Sequence, residues 1–260
     1  MNLDDFKKIA DTPEKKIATD NCIGIFLVGS SLYGTRTPES DFDYTGVFIE
    51  PEEYVLGRKN IESVEFKSNS SSSGKRNEAG DLDTTFYSLR KWFDLFSNNN
   101  PNQIELLFAP KQNIIYSTEY LKTIIDNRGL FTSLKCYHSM KGYAHAQRDR
   151  LQLKSGRNTG RTWLQEKFGF DTKLAMHNIR LYLECVQILK EGKIDFPLAE
   201  NKMLIDIKQG KYSFEEFVKR SEELKNLCDL VYANSSLQHS PNHEEISKLQ
   251  IMLYKKFLNL

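Results

Sequence analysis

Apolar and polar positions are patterned differently in the two halves of the chain. Residues 23–28, Ile-Gly-Ile-Phe-Leu-Val, form a nearly continuous apolar run, the pattern of a strand buried on both faces. Gly29-Ser30-Ser31 ends it. Residues 42–49 read as a second strand closed by Pro51, 61–66 alternate like a half-exposed strand, and 82–87 read as another. Before them, Leu3, Phe6, Ile9, Ala10 and Ile17 are spaced for helix. Pro13 interrupts them, where it suits the start of a second helical turn. From Ser88 the period becomes helical: Leu89, Trp92, Phe93 and Phe96 stand at i, i+3, i+4 and i+7, and Asn98-Asn99-Asn100-Pro101 stops the helix. Residues 121–125, 134–153, 173–190 and 214–232 carry helical periodicity, and strand signals nearly vanish after Ile115. Strands first and helices later predict an α+β chain: a head over residues 1–115 and a helical domain over 116–260. Residues 68–80 are mostly Ser, Asn, Gly and charge, which predicts a flexible loop.

Composition narrows the picture without changing it. The chain has 260 residues, is 39% hydrophobic and 12% aromatic, and so has the material for a sizeable core. Its net charge of +1 does not predict a general nucleic-acid coat, while 36 Lys and Arg leave room for a local basic groove. Cys22, Cys136, Cys185 and Cys228 are far apart with no CxxC pair, which argues against a cysteine zinc site and for buried thiols in a reducing cytosol. There is no apolar run long enough to span a membrane and no signal-peptide pattern, so a cytoplasmic location is expected.

The chemistry concentrates between the first two strands. Gly29-Ser30-Ser31-Leu32-Tyr33-Gly34-Thr35 follows the buried strand. Its small residues let backbone N–H groups approach a phosphate, and Ser30 adds a hydroxyl. Ser40-Asp41-Phe42-Asp43 follows. Side chains alternate along a strand, so Asp41 and Asp43 point the same way. Adjacent carboxylates repel unless a cation joins them, and magnesium or manganese suits hard oxygen ligands while leaving positions for substrate phosphates. Asp83 begins the strand at 82–87 and would complete a catalytic set with Asp41 and Asp43; Asp81 precedes it on the same face. In a two-ion scheme, Asp83 belongs to the acceptor side.

The stretch from Gly29-Ser30 to Asp43-Tyr44-Thr45-Gly46-Val47 resembles the polymerase-beta-like nucleotidyltransferase superfamily. More closely, the chain resembles the RNA-repair-associated family RlaP. That match runs through Asp83-Thr84-Thr85-Phe86-Tyr87-Ser88-Leu89-Arg90-Lys91-Trp92, Asn100-Pro101, Glu105-Leu106-Leu107 and Trp163-Leu164-Gln165-Glu166. It continues through Gly169-Phe170-Asp171 to Arg180, then Gly192-Lys193-Ile194 and Pro197-Leu198, and covers residues 23–218. The resemblance implies a polymerase-beta-type head, a short mixed sheet with flanking helices, followed by a helical bundle. It also implies use of an NTP, with ATP the expected one, a divalent metal on Asp41, Asp43 and Asp83, and association with RNA ligases or other repair partners. Residues 68–80 match no motif of the family.

Lys173, His177 and Arg180 are spaced four and three apart on one helix, with Asp171 at its start. On spacing alone they read as a solvated basic face with a core histidine. With the resemblance, Lys173 and Arg180 are expected against the triphosphate or an acceptor phosphate and His177 against a base or sugar, across a cleft from Asp41 and Asp43. The expected nucleotide-binding set is thus Gly29, Ser30, Tyr33, Ser40, Lys173, His177 and Arg180. Arg148, Arg150, Lys154, Arg157 and Arg161 form a basic stretch that could track a nucleic-acid backbone or simply meet solvent. Trp163 reads as a helix-packing residue ahead of a base-stacking one, Glu166 as a partner for an arginine or His177, and His138 and His145 as packing or capping residues ahead of a metal pair, which would lack nearby carboxylates. Lys75 and Arg76 read as incidental loop charges. The expected activity is transfer of NMP from an NTP to a hydroxyl, with an RNA end as acceptor. Protein or small-molecule adenylylation and an inactive nucleotide-sensing fold are the alternatives; the presence of all the carboxylates opposes the second. A toxin-neutralising partner is a further class, but such chains are typically shorter and lack a large helical half.

Overall fold

The computed structural model describes residues 1–37, 40–67, 82–152 and 162–260. The chain runs through helices α1 (Leu3–Lys8) and α2 (Pro13–Asp20), strand β1 (Cys22–Leu27), short helix α3 (Ser30–Tyr33), β2 (Phe42–Phe48), α4 (Glu52–Val55), β3 (Ser63–Lys67) and β4 (Leu82–Ser88). Then come α5 (Leu89–Ser97), α6 (Pro101–Ile104), a 3₁₀ turn (Glu105–Phe108) and β5 (Ile114–Ser117). The rest is helical: α7 (Glu119–Asp126), α8 (Lys135–Gln152), α9 (Thr162–Phe168), α10 (Thr172–Glu191), α11 (Asn201–Lys208), α12 (Phe214–Asn234) and α13 (His243–Leu258).

The strands form one mixed sheet in the order β3-β4-β2-β1-β5. Only β2 and β4 pair in parallel; the other neighbours are antiparallel. Two apolar layers sandwich the sheet. On one face, Cys22, Ile25, Tyr44, Phe48, Val64, Phe66 and Phe86 are covered by Phe6, Ala10 and Ala18 from the N-terminal helices. On the other, Ile23, Phe26 and Val47 join Trp92 and Phe96 of α5 in a core that continues into Met140, Ile179, Leu224 and Leu253 of the helical half. A strand covered on both sides must be apolar throughout, and β1 is. Pro13 stands at the first position of α2, and the Thr12 hydroxyl accepts from the Lys15 N–H.

Three features depart from the sequence reading. The expected boundary at residue 115 falls inside β5, which pairs with β1, so the sheet extends to Ser117 and the halves share one core. Gly29-Ser30-Ser31 does not simply end a strand but begins the turn of α3. Helices α9, α11 and α13 were not expected. The loop at 68–80, with Lys75 and Arg76, and Asp81 lie outside the described residues.

Glu50, just past β2, is buried and accepts from the Leu89 N–H (3.1 Å) and the Tyr254 hydroxyl (2.9 Å). One carboxylate thus satisfies the N-terminus of α5 and anchors α13. We expect Tyr254→Phe to cost about 1.5–3 kcal/mol, the range for a hydrogen bond to a charged group. Urea unfolding should show the midpoint falling with an unchanged slope.

Candidate functional site

The parallel register of β2 with β4 sets Asp43 opposite Asp83, and Thr45 opposite Thr85. Residues in register project to the same side of a sheet, and this side also carries Val47, which belongs to the core shared with the helical half. Asp41 has the parity of Asp43 and shares its face. Asp41 and Asp43 are half-buried, and Asp83 is exposed. Gly29, at the turn after β1, has φ +63°, and a Cβ there would stand 2.6 Å from Asp43 Oδ2. Only glycine lets the backbone pass this close to the carboxylate. Burial raises the Asp43 carboxyl above the usual carboxylate range; Lys173 opposes the shift, and Asp41 and Asp83 add to it.

That electrostatic link places Lys173, on α10, in the field of Asp43. Asp171 caps this helix, accepting from the Lys173 and Leu174 N–H groups at 3.0 Å. Along α10 the expected basic face runs from solvent to core: Lys173 exposed, His177 half-buried, Arg180 buried. A cleft of about 710 Å³ opens between the two halves, and Gly29, Tyr33, His177 and Arg180 help to line it.

Arg180 is the main revision. Rather than presenting its charge to a phosphate, its Nη1 reaches Glu105 (2.6 Å) and Glu184 (3.0 Å), and its guanidinium lies 4.1 Å from the centroid of the Tyr33 ring. Tyr33 in turn donates to Glu105 Oε1 at 2.8 Å. The network is dry, with Arg180 3% and Glu105 2% exposed. Burial raises both carboxyls, Glu184 to about 8. Arg180 opposes the rise at both carboxyls and Glu105 adds to it at Glu184; among the described residues Glu184 accepts from Arg180 alone, whereas Glu105 also accepts from Tyr33. Arg180 therefore holds Tyr33 at the cleft wall. The sequence carried a signal for this: Arg180 and Glu184, four apart, sit in the apolar run Ile179-Arg180-Leu181-Tyr182-Leu183-Glu184-Cys185, where charges must pair to be buried.

Ser40 is also committed to structure. Its hydroxyl accepts from the Thr37 N–H at 3.0 Å, and Lys208 Nζ reaches both Ser40 Oγ (3.4 Å) and the Thr35 carbonyl (3.1 Å). Lys208 on α11 thereby ties the segment after α3 to the helical half. Ser30 opens α3, and its carbonyl accepts from the Thr35 N–H. The basic stretch is only partly described: Arg148 pairs with Glu222, Arg150 lines the cleft, and Lys154, Arg157 and Arg161 lie outside the described residues. Trp163, expected to pack, is 39% exposed. Glu166 is exposed. His138 packs against Tyr137 and Tyr232. The cleft wall that α8 provides, with Tyr143 and Gln147, went unread, because a polar helix face looks the same in sequence whether it meets solvent or a cleft.

The family model described as RlaP, RNA repair pathway DNA polymerase beta family, matches residues 13–245. The chain belongs to the RlaP family. A 133-residue stretch of this RlaP chain is 33% identical to an uncharacterized 38.9 kDa protein of the nrdC-mobD intergenic region of Enterobacteria phage T4; the match spans 50% of this chain and 38% of the phage protein. Two solved structures are similar more loosely. A nucleotidyltransferase-like protein from Exiguobacterium sibiricum is 12% identical, with 88% of this chain and 74% of that one covered and a TM-score of 0.30. The spectinomycin adenyltransferase AAD(9) from Enterococcus faecialis, solved with ATP and spectinomycin, is 14% identical, with 87% and 98% covered and a TM-score of 0.42. Those values carry no inference about this chain.

The RlaP site can be tested for a divalent cation on its own geometry. Among the described residues, no three His, Cys, Asp or Glu side chains are already drawn together as a metal cage. The donor chemistry nevertheless fits a hard cation. Asp41, Asp43 and Asp83 supply only oxygen, they repel one another, and Gly29 leaves Asp43 Oδ2 unobstructed. Among the described residues, no helix is long and apolar enough to cross a membrane, and the four cysteines are free and buried.

Proposed function

We propose that this RlaP chain is a metal-dependent nucleotidyltransferase that moves NMP from an NTP, ATP in our reading, to a hydroxyl at an RNA end. The observation that carries the proposal is the β2–β4 register, which sets Asp43 beside Asp83 on one face of the sheet, with Asp43 against Gly29 of the cleft lining and within the field of Lys173. The RNA acceptor is supported by the family's description as part of an RNA repair pathway. In the reaction the acceptor oxygen bonds to the α-phosphorus, the bond from that phosphorus to the bridging oxygen of the β-phosphate breaks, and pyrophosphate leaves. The acceptor proton passes to solvent. Asp41, Asp43 and Asp83 would hold magnesium or manganese, which supplies charge neutralisation at the phosphates and acidifies the acceptor hydroxyl. Lys173 binds the triphosphate, Gly29 admits it close to the backbone, and His177 borders the nucleoside.

The test is transfer from each α-labelled NTP to short RNAs, with magnesium or manganese, beside an Asp41→Ala/Asp43→Ala variant. Label in RNA that disappears in the variant is the expected result. Label on protein alone would replace RNA by a protein acceptor, and label nowhere would overturn the proposal.

A further inference from the structure

One wall of the cleft is built by α8, apart from the Gly29 turn. On α8, Gly142, Tyr143, Ala146, Gln147 and Arg150 stand at i, i+1, i+4, i+5 and i+8, so they share one side of the helix, and all line the cleft. Three observations single out this wall. The Tyr143 ring is 40% exposed, while its hydroxyl accepts from Asn100 Nδ2 at 3.0 Å, so the ring is held in place with surface left uncovered. Among the described residues, nothing donates a hydrogen bond to the buried Gln147 Oε1. Around Gly142 there is open space, since a Cβ there would meet nothing within 4 Å.

A held aromatic ring, a flat open strip of helix and an orphaned acceptor together describe a slot for a planar heterocycle that carries an N–H donor on its edge. Proteins rarely leave a buried carbonyl unpaired, so the missing donor belongs to something that enters the cleft. On the proposed nucleotidyltransferase reading, the Gly29 end of the same cleft is the phosphate end. Resting on the nucleotidyltransferase reading above, we propose that this wall is the nucleobase subsite and that it selects adenine. Tyr143 stacks on the purine. Gln147 Oε1 accepts from the 6-amino group while its own amide N–H donates to a ring nitrogen, the pairing that glutamine makes with adenine elsewhere. Guanine in the same pose would set its O6 against Gln147 Oε1, two acceptors facing each other.

The experiment is calorimetric binding of ATP, GTP, CTP, UTP and inorganic tripolyphosphate, with magnesium, to the wild type and to Tyr143→Ala, Tyr143→Phe, Gln147→Leu and Gly142→Leu. Circular dichroism confirms folding of each variant. The wild type should prefer ATP over GTP by about 10-fold or more, and Gln147→Leu should erase that preference. Tyr143→Ala should weaken ATP about 10-fold, and Tyr143→Phe should recover most of the loss by restoring the ring. Gly142→Leu, whose Cβ enters open space at the slot, should weaken ATP while tripolyphosphate binds as before. A wild type that prefers GTP or has no preference overturns the assignment. So does an equal loss of ATP and tripolyphosphate in Tyr143→Ala or Gln147→Leu. Base-selective binding with no transfer to any acceptor would leave the subsite standing and remove the transferase reading instead.

Discussion

Asp43→Asn should abolish nucleotidyl transfer, lowering it about 10³-fold or more, and yet raise the melting temperature of the ligand-free protein by about 1–4 °C. The two effects have one cause. Asp43 is partly desolvated and shares its face with Asp41 and Asp83, so its carboxyl is raised above the ordinary value, with Lys173 opposing only part of the shift. For an acid whose folded value lies above its unfolded value, the folded state holds the extra proton. The stability linked to that group is then greatest below the unfolded value and declines as pH rises toward the raised one. At neutral pH the anion is a cost that the isosteric amide does not carry. The amide also cannot serve as an anionic ligand for a cation. Thermal melts between pH 4 and 8, set beside transfer rates, check both halves, and saturating magnesium should shrink the stability difference by binding the wild type. A variant that melts lower at neutral pH and still transfers label would contradict this account of the site.

Arg180→Met should produce the largest loss of stability, about 3–5 kcal/mol, seen as a melting temperature lower by about 10 °C. Methionine replaces the volume but leaves Glu105 and Glu184 buried without their cation. The loss should depend on pH. Both carboxyls are already raised by burial, and Glu184 titrates near 8 even with Arg180 beside it. Its contribution to wild-type stability is thus full below the unfolded value and declines as pH rises from about 4.5 to 8. Without the guanidinium the folded values rise further, so the penalty should be smaller at pH 5, where the carboxyls can keep their protons, than at pH 8. Urea unfolding of both proteins at the two pH values measures this. An equal loss at both would mean that Arg180 acts through packing on Tyr33 rather than through charge.

These two residues also show what the sequence could carry. Asp41 and Asp43 were legible as a pair because a strand has a period of two, and the apolar run at 23–28 announced a strand covered on both faces. That Asp83 would sit opposite Asp43 was not legible: the register of strands distant in the chain is decided by packing across the whole sheet. Arg180 was expected at a phosphate because the resemblance grouped it with Lys173 and His177, and shared helical spacing does not say how deep each residue lies. Lys173, His177 and Arg180 share a face that runs from solvent into the core. Helix α13 was within reach, since Ile246, Leu249 and Leu253 have helical spacing. Its partner was not, because the Glu50–Tyr254 contact joins residues 204 apart. The α8 wall was hidden for a different reason: exposure to a cleft and exposure to bulk solvent select the same polar residues.

The core that runs unbroken from Phe26 and Val47 through Trp92 to Ile179 and Leu253 has an engineering consequence. The head is not a transplantable cassette. Excised at residue 115 it would lose part of β5 and bare one whole face of its sheet to water, inviting aggregation. Grafting this candidate site onto another protein, or reassembling it from two separately expressed fragments, would therefore require carrying the helical half along as its obligatory cover.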